Sequence, residues 1–131
     1  MSKKKIPDLS KSRFVGGLQC HLRLWYSTYE KELEAPPSES LQFIFSQGTE
    51  FGKLATTLYP GGILVNEAYY EHDKAIQHTQ QLILNEEVSA LFEAAFTYDN
   101  VKVRADILVR LNNSDWQLLE VKSSTSVKDV N

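Results

Sequence analysis

The hydrophobic pattern changes its period at Val88, and this change constrains the fold more than any other feature of the chain. Beyond this residue, apolar and polar side chains alternate, as in strands that bury one face. Two short polar breaks, at Asp99-Asn100 and at 112–115, interrupt the alternation. We therefore predict three consecutive antiparallel strands, over 88–98, 101–111 and 116–122.

The residues before Val88 have the spacing of helices. The predicted elements are a helix over 10–29, a helix that begins after Ser38 and runs to the stop at Pro60, a short strand over 63–65 and a helix over 72–84. One face of the first helix is apolar, and we predict that it is buried. Its residues are Phe14, Leu18, Leu22 and Trp25. Gly48 and Gly52 share a face of the second helix, which predicts that another element packs closely there.

Helices followed by strands indicate the α/β (α+β) class, with N-terminal helices packed on a mixed sheet that contains the three-strand meander. The 131 residues are the length of one domain, and 42% hydrophobic residues can form its core. We predict a single domain over 1–131. It would comprise a flexible basic tail over 1–9, a mainly helical part over 10–87 and the meander over 88–122.

Composition and charge limit the partners and the location of the protein. No apolar run approaches the roughly 18 residues needed to cross a bilayer, and no signal peptide follows the N-terminal lysines, so we expect a cytoplasmic protein without membrane contact. Residues 1–31 carry seven basic and two acidic residues, a balance of +5. Because the net charge of the chain is −3, residues 32–131 carry −8. The basic end is either a solubilising tail or a polyanion-binding segment. Its candidate nucleic-acid ligands are Lys11, Arg13 and Arg23.

The register of the two predicted hairpins brings acidic residues together. A two-residue turn at Asp99-Asn100 places Glu93 opposite Asp106. A loop centred on Asn113 then places Asp106 opposite Glu120. Directly opposed carboxylates repel each other unless a cation or a proton compensates them. The pattern therefore predicts a cation site on this face of the sheet.

The residue types suit a hard divalent ion. Mg²⁺ and Mn²⁺ prefer oxygen ligands, and they commonly combine a few carboxylates with water and phosphate oxygens. We expect Glu93, Asp106 and Glu120 to be the carboxylate ligands. Alternation puts Lys122 on the face of Glu120, where its ammonium can stabilise charge that develops on a phosphate.

Two segments resemble the signature of the PD-(D/E)XK nucleases: Asp106 within 103–108, and Glu120-Val121-Lys122. The chain is similar to the RecB-type exonuclease branch, which includes CRISPR-associated RecB-like exonucleases and uncharacterised bacterial proteins. Further similar segments are 9–12, Cys20 followed by 24–25, and 59–62, so the resemblance spans most of residues 8–130. It implies a restriction-endonuclease-like core and Mg²⁺- or Mn²⁺-dependent hydrolysis of DNA phosphodiesters. The resemblance also implies that Asp106 and Glu120 bind the metal, that the Val121 carbonyl adds a ligand, and that Lys122 assists the attacking water.

The chain departs from this branch at three places. Gly52 stands where many members have a metal-binding histidine, and no helix with a Gln-x-x-x-Tyr element follows before Asn131, so we expect part of a longer polypeptide. Cys20 matches the first of four iron–sulfur ligands, and a cluster would require further cysteines from that longer protein. We otherwise expect Cys20 to be buried and His21, His72 and His78 to lie on the surface.

Two alternatives to a nuclease stay open. The first is a nuclease-like module that no longer cuts and binds nucleic acid or another protein instead. The second is a structural domain whose acidic face is simply solvated, which predicts no specific response to divalent ions. The residues do not determine the oligomeric state.

Overall fold

A computed structural model describes residues 6–124, and this range contains four α-helices and five β-strands. The helices are α1 (Lys11–Gln19), α2 (His21–Tyr29), α3 (Glu39–Thr56) and α4 (His72–Leu84), with 3₁₀-helices at Lys31–Leu33 and Tyr69–Glu71. The strands are β1 (Leu9–Ser10), β2 (Ile63–Leu64), β3 (Ala90–Tyr98), β4 (Val101–Arg110) and β5 (Trp116–Leu119). The predicted mixed α/β class is confirmed.

The described residues fall into two compact units. One comprises the described part of Met1–Pro36 together with Ala95–Arg104. The other comprises Pro37–Ala94 together with the described part of Ala105–Asn131. The single domain expected over 1–131 stays a prediction.

The sheet is mixed, as predicted. Its strand order is β1-β4-β3-β2, and β5 also pairs with β4. β1 runs parallel to β4, β2 runs parallel to β3, and β5 runs antiparallel to β4. The meander therefore forms from β3, β4 and β5, although β5 ends three residues earlier than predicted. A restriction-endonuclease-like core stays a prediction.

The turn between β3 and β4 lies where the sequence places it. Asp99 and Asn100 have φ angles of 47° and 62°. Two consecutive positive φ angles are typical of the type I′ turn, whose twist matches that of antiparallel strands. Asn and Asp tolerate this conformation better than other residues with a Cβ atom, which explains why this dipeptide can form the turn.

The main core lies in the second unit, where buried residues of β3 and β4 meet side chains of α4. The core cluster is Val88, Leu91, Ala94, Ala105 and Leu108, with Ile63, Leu82, Ile83 and Trp116 packed against it. The buried face of α4 begins with His72, which is 5% exposed, and continues through Ala75 and Thr79. The prediction of a surface position for His72 is therefore wrong, because His72 shares a helix face with Ala75 and Thr79.

Arg110 joins the end of β4 to the C-terminus of α4. Its Nε donates to the Val88 carbonyl at 2.8 Å, and its Nη2 donates to the carbonyls of Ile83 and Asn85 at 2.9 and 3.0 Å. The guanidinium also lies over the Trp116 ring, 4.2 Å from the centroid. One planar cation thus donates to a carbonyl in the last turn of α4 and to two carbonyls of the loop that follows it.

The first predicted helix is two helices. The chain is extended at Cys20, with φ −161° and ψ 121°, and this residue separates α1 from α2. Cys20 is exposed, so the prediction of a buried thiol is wrong. The two helices pack closely at Gly17, where an added Cβ would lie 2.9 Å from the Leu24 Cδ2 atom.

The apolar face predicted for this segment is not buried within the described residues. Its members are 47–73% exposed: Phe14, Leu18, Leu22 and Trp25. Helix α3 likewise has no buried residue, and a Cβ on Gly48 or Gly52 would meet no atom within 4 Å. The close packing predicted at these glycines is therefore not formed by residues 6–124. Across the same range, no helix has the length and apolar character required to span a bilayer.

The N-terminal end is more structured than the predicted basic tail. Leu9 pairs with Val101 in the sheet, and the Asp8 carboxylate lies 2.9 Å from the Lys102 ammonium. Residues 8 and 9 therefore belong to the fold and not to a flexible tail. Residues 1–5, with the three lysines of that tail, lie outside the described residues.

Candidate functional site

The hairpin of β4 and β5 positions Asp106 against the Glu-x-Lys segment. The paired residues run from Arg110 and Trp116 to Ile107 and Leu119, which confirms the register predicted for this hairpin. The next step along the ladder brings Asp106 level with residue 120. Asp106 is half-buried and lies between two buried residues of β4, Ala105 and Ile107.

A hydrogen bond fixes the Asp106 carboxylate beyond the last strand pair. The main-chain N–H of Val121 donates to its Oδ2 atom at 2.7 Å. The carboxylate therefore accepts from the main chain just after the ladder has ended at Leu119. A hydrogen bond to an ionised acceptor is stronger than one between neutral groups, so it orients both the carboxylate and the Val121 peptide.

The two charged residues of the Glu-x-Lys segment pair with each other. The Lys122 Nζ atom lies 2.8 Å from the Glu120 Oε1 atom. The side chains are 69% and 40% exposed, respectively, so solvent screens the attraction and the pair adds little to stability. Asp106 thus lies beside the Glu-x-Lys segment: its carboxylate accepts from the main chain, and the Glu120 carboxylate contacts the Lys122 ammonium.

Glu93 occupies an irregular position in β3. Its φ angle is 58°, in the left-handed region, and its side chain is exposed. Leu91 and Ala95, two residues away on either side, are both buried. In a regular strand these three residues would share one face, so the alternation that placed Glu93 with Asp106 does not hold at this residue. Its role as a metal ligand stays a prediction.

The oxygen donors at Asp106 and Glu120 suit a site that is partly hydrated. Among residues 6–124 no three or more His, Cys, Asp or Glu side chains are arranged to hold a metal ion. The donors at hand are two carboxylates and the main-chain carbonyl of Val121. Mg²⁺ usually keeps several waters and takes only one or two protein carboxylates, so this donor set fits its chemistry.

The basic residues proposed for nucleic-acid contact have different surroundings. Arg13 is half-buried, and its guanidinium donates to the main-chain carbonyls of Asp8 and Ser27 at 3.2 and 3.4 Å. These contacts hold the first unit together, which gives Arg13 a structural role. Lys11 and Arg23 are exposed, and Arg23 donates to the side chain of Gln19 at 2.6 Å. DNA contact by these three residues stays a prediction.

One pair of ionisable groups had no signal in the sequence. The His78 Nδ1 atom lies 2.9 Å from the Glu67 Oε1 atom and 3.2 Å from Oε2. The two side chains are 31% and 21% exposed. They are eleven positions apart and on different elements, so no periodicity could reveal the contact. The pair holds the loop after β2 against α4.

No protein-family model, curated protein or solved structure matches this chain. The RecB-type resemblance therefore rests on the sequence segments that carry it.

Proposed function

We propose that the chain is a divalent-metal-dependent nuclease domain that hydrolyses DNA phosphodiester bonds, acting as an exonuclease of the RecB type. The observation that supports this most is the hydrogen bond from the Val121 N–H to Asp106. It links the first acid of the signature to the Glu-x-Lys segment, and so joins the two segments on which the resemblance depends.

Each residue has a chemical task in the proposed reaction. Asp106 and Glu120 supply carboxylate oxygens to Mg²⁺ or Mn²⁺, and the Val121 carbonyl is available as a third ligand. The cation, when bound, would neutralise charge on the scissile phosphate and activate water for attack. Lys122 extends from the same segment, and its ammonium can position the water and stabilise charge on the phosphate.

The hydrogen bond to Val121 has a further consequence for the site. A carboxylate that is already oriented loses less conformational freedom when it binds a cation, so less of the binding free energy is spent on ordering it. Because Oδ2 accepts the N–H, Oδ1 is the oxygen that we assign to the metal. Asp106 therefore acts as a ligand whose direction is set by the main chain that follows β5.

A cleavage assay tests the proposal. DNA labelled at either end, as single strands and as duplexes, is incubated with Mg²⁺ or Mn²⁺ and with wild type, Asp106→Asn, Glu120→Gln or Glu86→Gln. Glu86 is an exposed glutamate before β3 and provides a matched control. We expect wild type and Glu86→Gln to shorten the DNA from an end, and both site variants to lose at least about 100-fold in rate.

Three results would contradict the proposal in whole or in part. Equal cleavage by wild type and both site variants would assign the activity to other residues or to a contaminating enzyme. DNA binding without cleavage by the wild type would favour the alternative of a nuclease-like binding module. Internal cuts in place of terminal shortening would support nuclease activity but contradict its assignment as an exonuclease.

A further inference from the structure

We propose that the Lys122 ammonium and the divalent cation compete for the Glu120 carboxylate, so that Lys122 lowers the metal affinity of the site. This inference rests on the proposed function, because it concerns the same two-carboxylate site. Its basis is the contact of 2.8 Å between the Lys122 Nζ and Glu120 Oε1 atoms.

The competition follows from the size and charge of the two cations. A metal ligated by Glu120 would lie about 2.1 Å from a carboxylate oxygen. An ammonium in contact with the same carboxylate would then be a few ångströms from a doubly charged ion, and like charges at that distance repel. Lys122 must therefore leave Oε1, or share the carboxylate at an energetic cost, when the metal binds.

The exposure of both side chains limits how strong this competition is. Lys122 is 69% exposed and Glu120 is 40% exposed, so hydration replaces much of the attraction that the ammonium loses when it leaves the carboxylate. The long, flexible side chain also allows Lys122 to move without leaving the site. Lys122 thus weakens metal binding moderately without blocking it, and it stays near enough to act on the substrate.

Calorimetric titration of Mn²⁺ at low ionic strength tests the competition directly, with no need for turnover. The proteins are wild type, Lys122→Met, Lys122→Arg and Lys74→Met. Lys74 is the matched control: it lies 2.6 Å from the Glu71 Oε1 atom, and the two side chains are 71% and 34% exposed. Its replacement changes the net charge of the protein by the same amount at a different carboxylate. Circular dichroism of each protein verifies that it is folded.

We expect Lys122→Met to bind Mn²⁺ about three- to fivefold more tightly than wild type, and the other two variants to stay within about twofold of it. The difference should shrink at high salt, because screening weakens both the ion pair and the repulsion. Lys122→Arg should resemble wild type because the competing positive charge is retained.

The outcomes separate this inference from the proposed function. If wild type binds Mn²⁺ and Lys122→Met binds it equally or more weakly, competition is refuted while the metal site stands. Equal tightening by Lys74→Met and Lys122→Met would also refute it, since overall charge would then be the cause. If neither wild type nor Lys122→Met binds Mn²⁺, the metal site itself is refuted.

Discussion

Replacement of Arg110 by methionine should destabilise the protein more than most single substitutions. The methionine retains much of the apolar stem but removes the guanidinium, which donates to three main-chain carbonyls and lies over Trp116. The carbonyls of Val88 and Ile83 would lose their charged donor where β3 begins and α4 ends. The change therefore acts on the elements that frame β4, which carries Asp106.

The size of the effect follows from the contacts. A hydrogen bond to a charged group contributes about 1.5–3 kcal/mol. Nη2 is shared between Ile83 and Asn85, and Asn85 is exposed enough for water to replace the donor, so we count two bonds at the low end. The contact with Trp116 adds about 0.5–1 kcal/mol. We expect a loss of about 3–4 kcal/mol, a large fraction of the 5–15 kcal/mol typical of a domain.

Urea unfolding followed by circular dichroism measures this loss. With a slope of about 1.5 kcal/mol/M, the midpoint should fall by roughly 2 M. Arg110→Lys should lose about half as much, because an ammonium cannot bond all three carbonyls from one position. A loss below about 1 kcal/mol in the free energy of unfolding of Arg110→Met, with an unchanged slope, would refute the inference that Arg110 holds the end of β4 to the C-terminus of α4.

Three further predictions concern local geometry. Asn100→Gly should stabilise the protein by about 0.5 kcal/mol, because glycine adopts the positive φ of the turn more readily; a lower urea midpoint would contradict this. Gly62→Ala should lower the free energy of unfolding by about 1–3 kcal/mol, because the new Cβ would lie 2.6 Å from the Cε2 atom of the buried Phe92 ring. Thermal unfolding measures this loss, and an unchanged Tm would show that the ring moves freely. The hydrogen bond from Lys74 lowers the pKa of Glu71, so the stability from this pair is present above the ordinary glutamate pKa and is lost as pH falls through the lowered one. An NMR titration of Lys74→Met should show the pKa of Glu71 shifted upward, and an unshifted value would refute the contact.

The elements with a strong local signal could be predicted from the sequence. Helix α4 begins and ends at the predicted residues, and the turn at Asp99-Asn100 has the expected form. The register of β4 and β5 was also predictable. The loop around Asn113 is short, and a slip of one residue would turn the apolar side chains of one strand to the opposite face of the sheet. Local periodicity and turn chemistry determine these features, and both can be read from neighbouring residues.

Features that depend on distant contacts could not be predicted. Spacing identifies the residues that share a helix face, such as Phe14 and Leu18, but it does not reveal whether another element covers that face. The break at Cys20 has no glycine or proline to signal it. The hydrogen bond of Val121 to Asp106 joins a side chain to a main-chain group fifteen residues away, and alternation carries no information about such contacts.

The position of Glu93 shows where a regular pattern is misleading. A strict period of two predicts that Glu93 shares a face with Leu91 and Ala95, yet it is exposed and they are buried. A positive φ within a strand redirects the side chain, and glutamate gives no sequence signal of that conformation. His72 is the opposite case: its spacing from Ala75 and Thr79 was sufficient to indicate burial.

Calorimetric titration of Mg²⁺ and Mn²⁺ into wild type and into an Asp106→Asn, Glu120→Gln variant tests whether Asp106 and Glu120 form a metal centre. The asparagine side chain introduced by the first substitution would retain an oxygen to accept the Val121 N–H, so the variant removes the ligand charges and preserves that hydrogen bond. We expect wild type to bind both ions and the variant to lose at least about tenfold in affinity. Equal binding by the two proteins, or no binding by wild type at millimolar metal, would contradict a metal centre at Asp106 and Glu120.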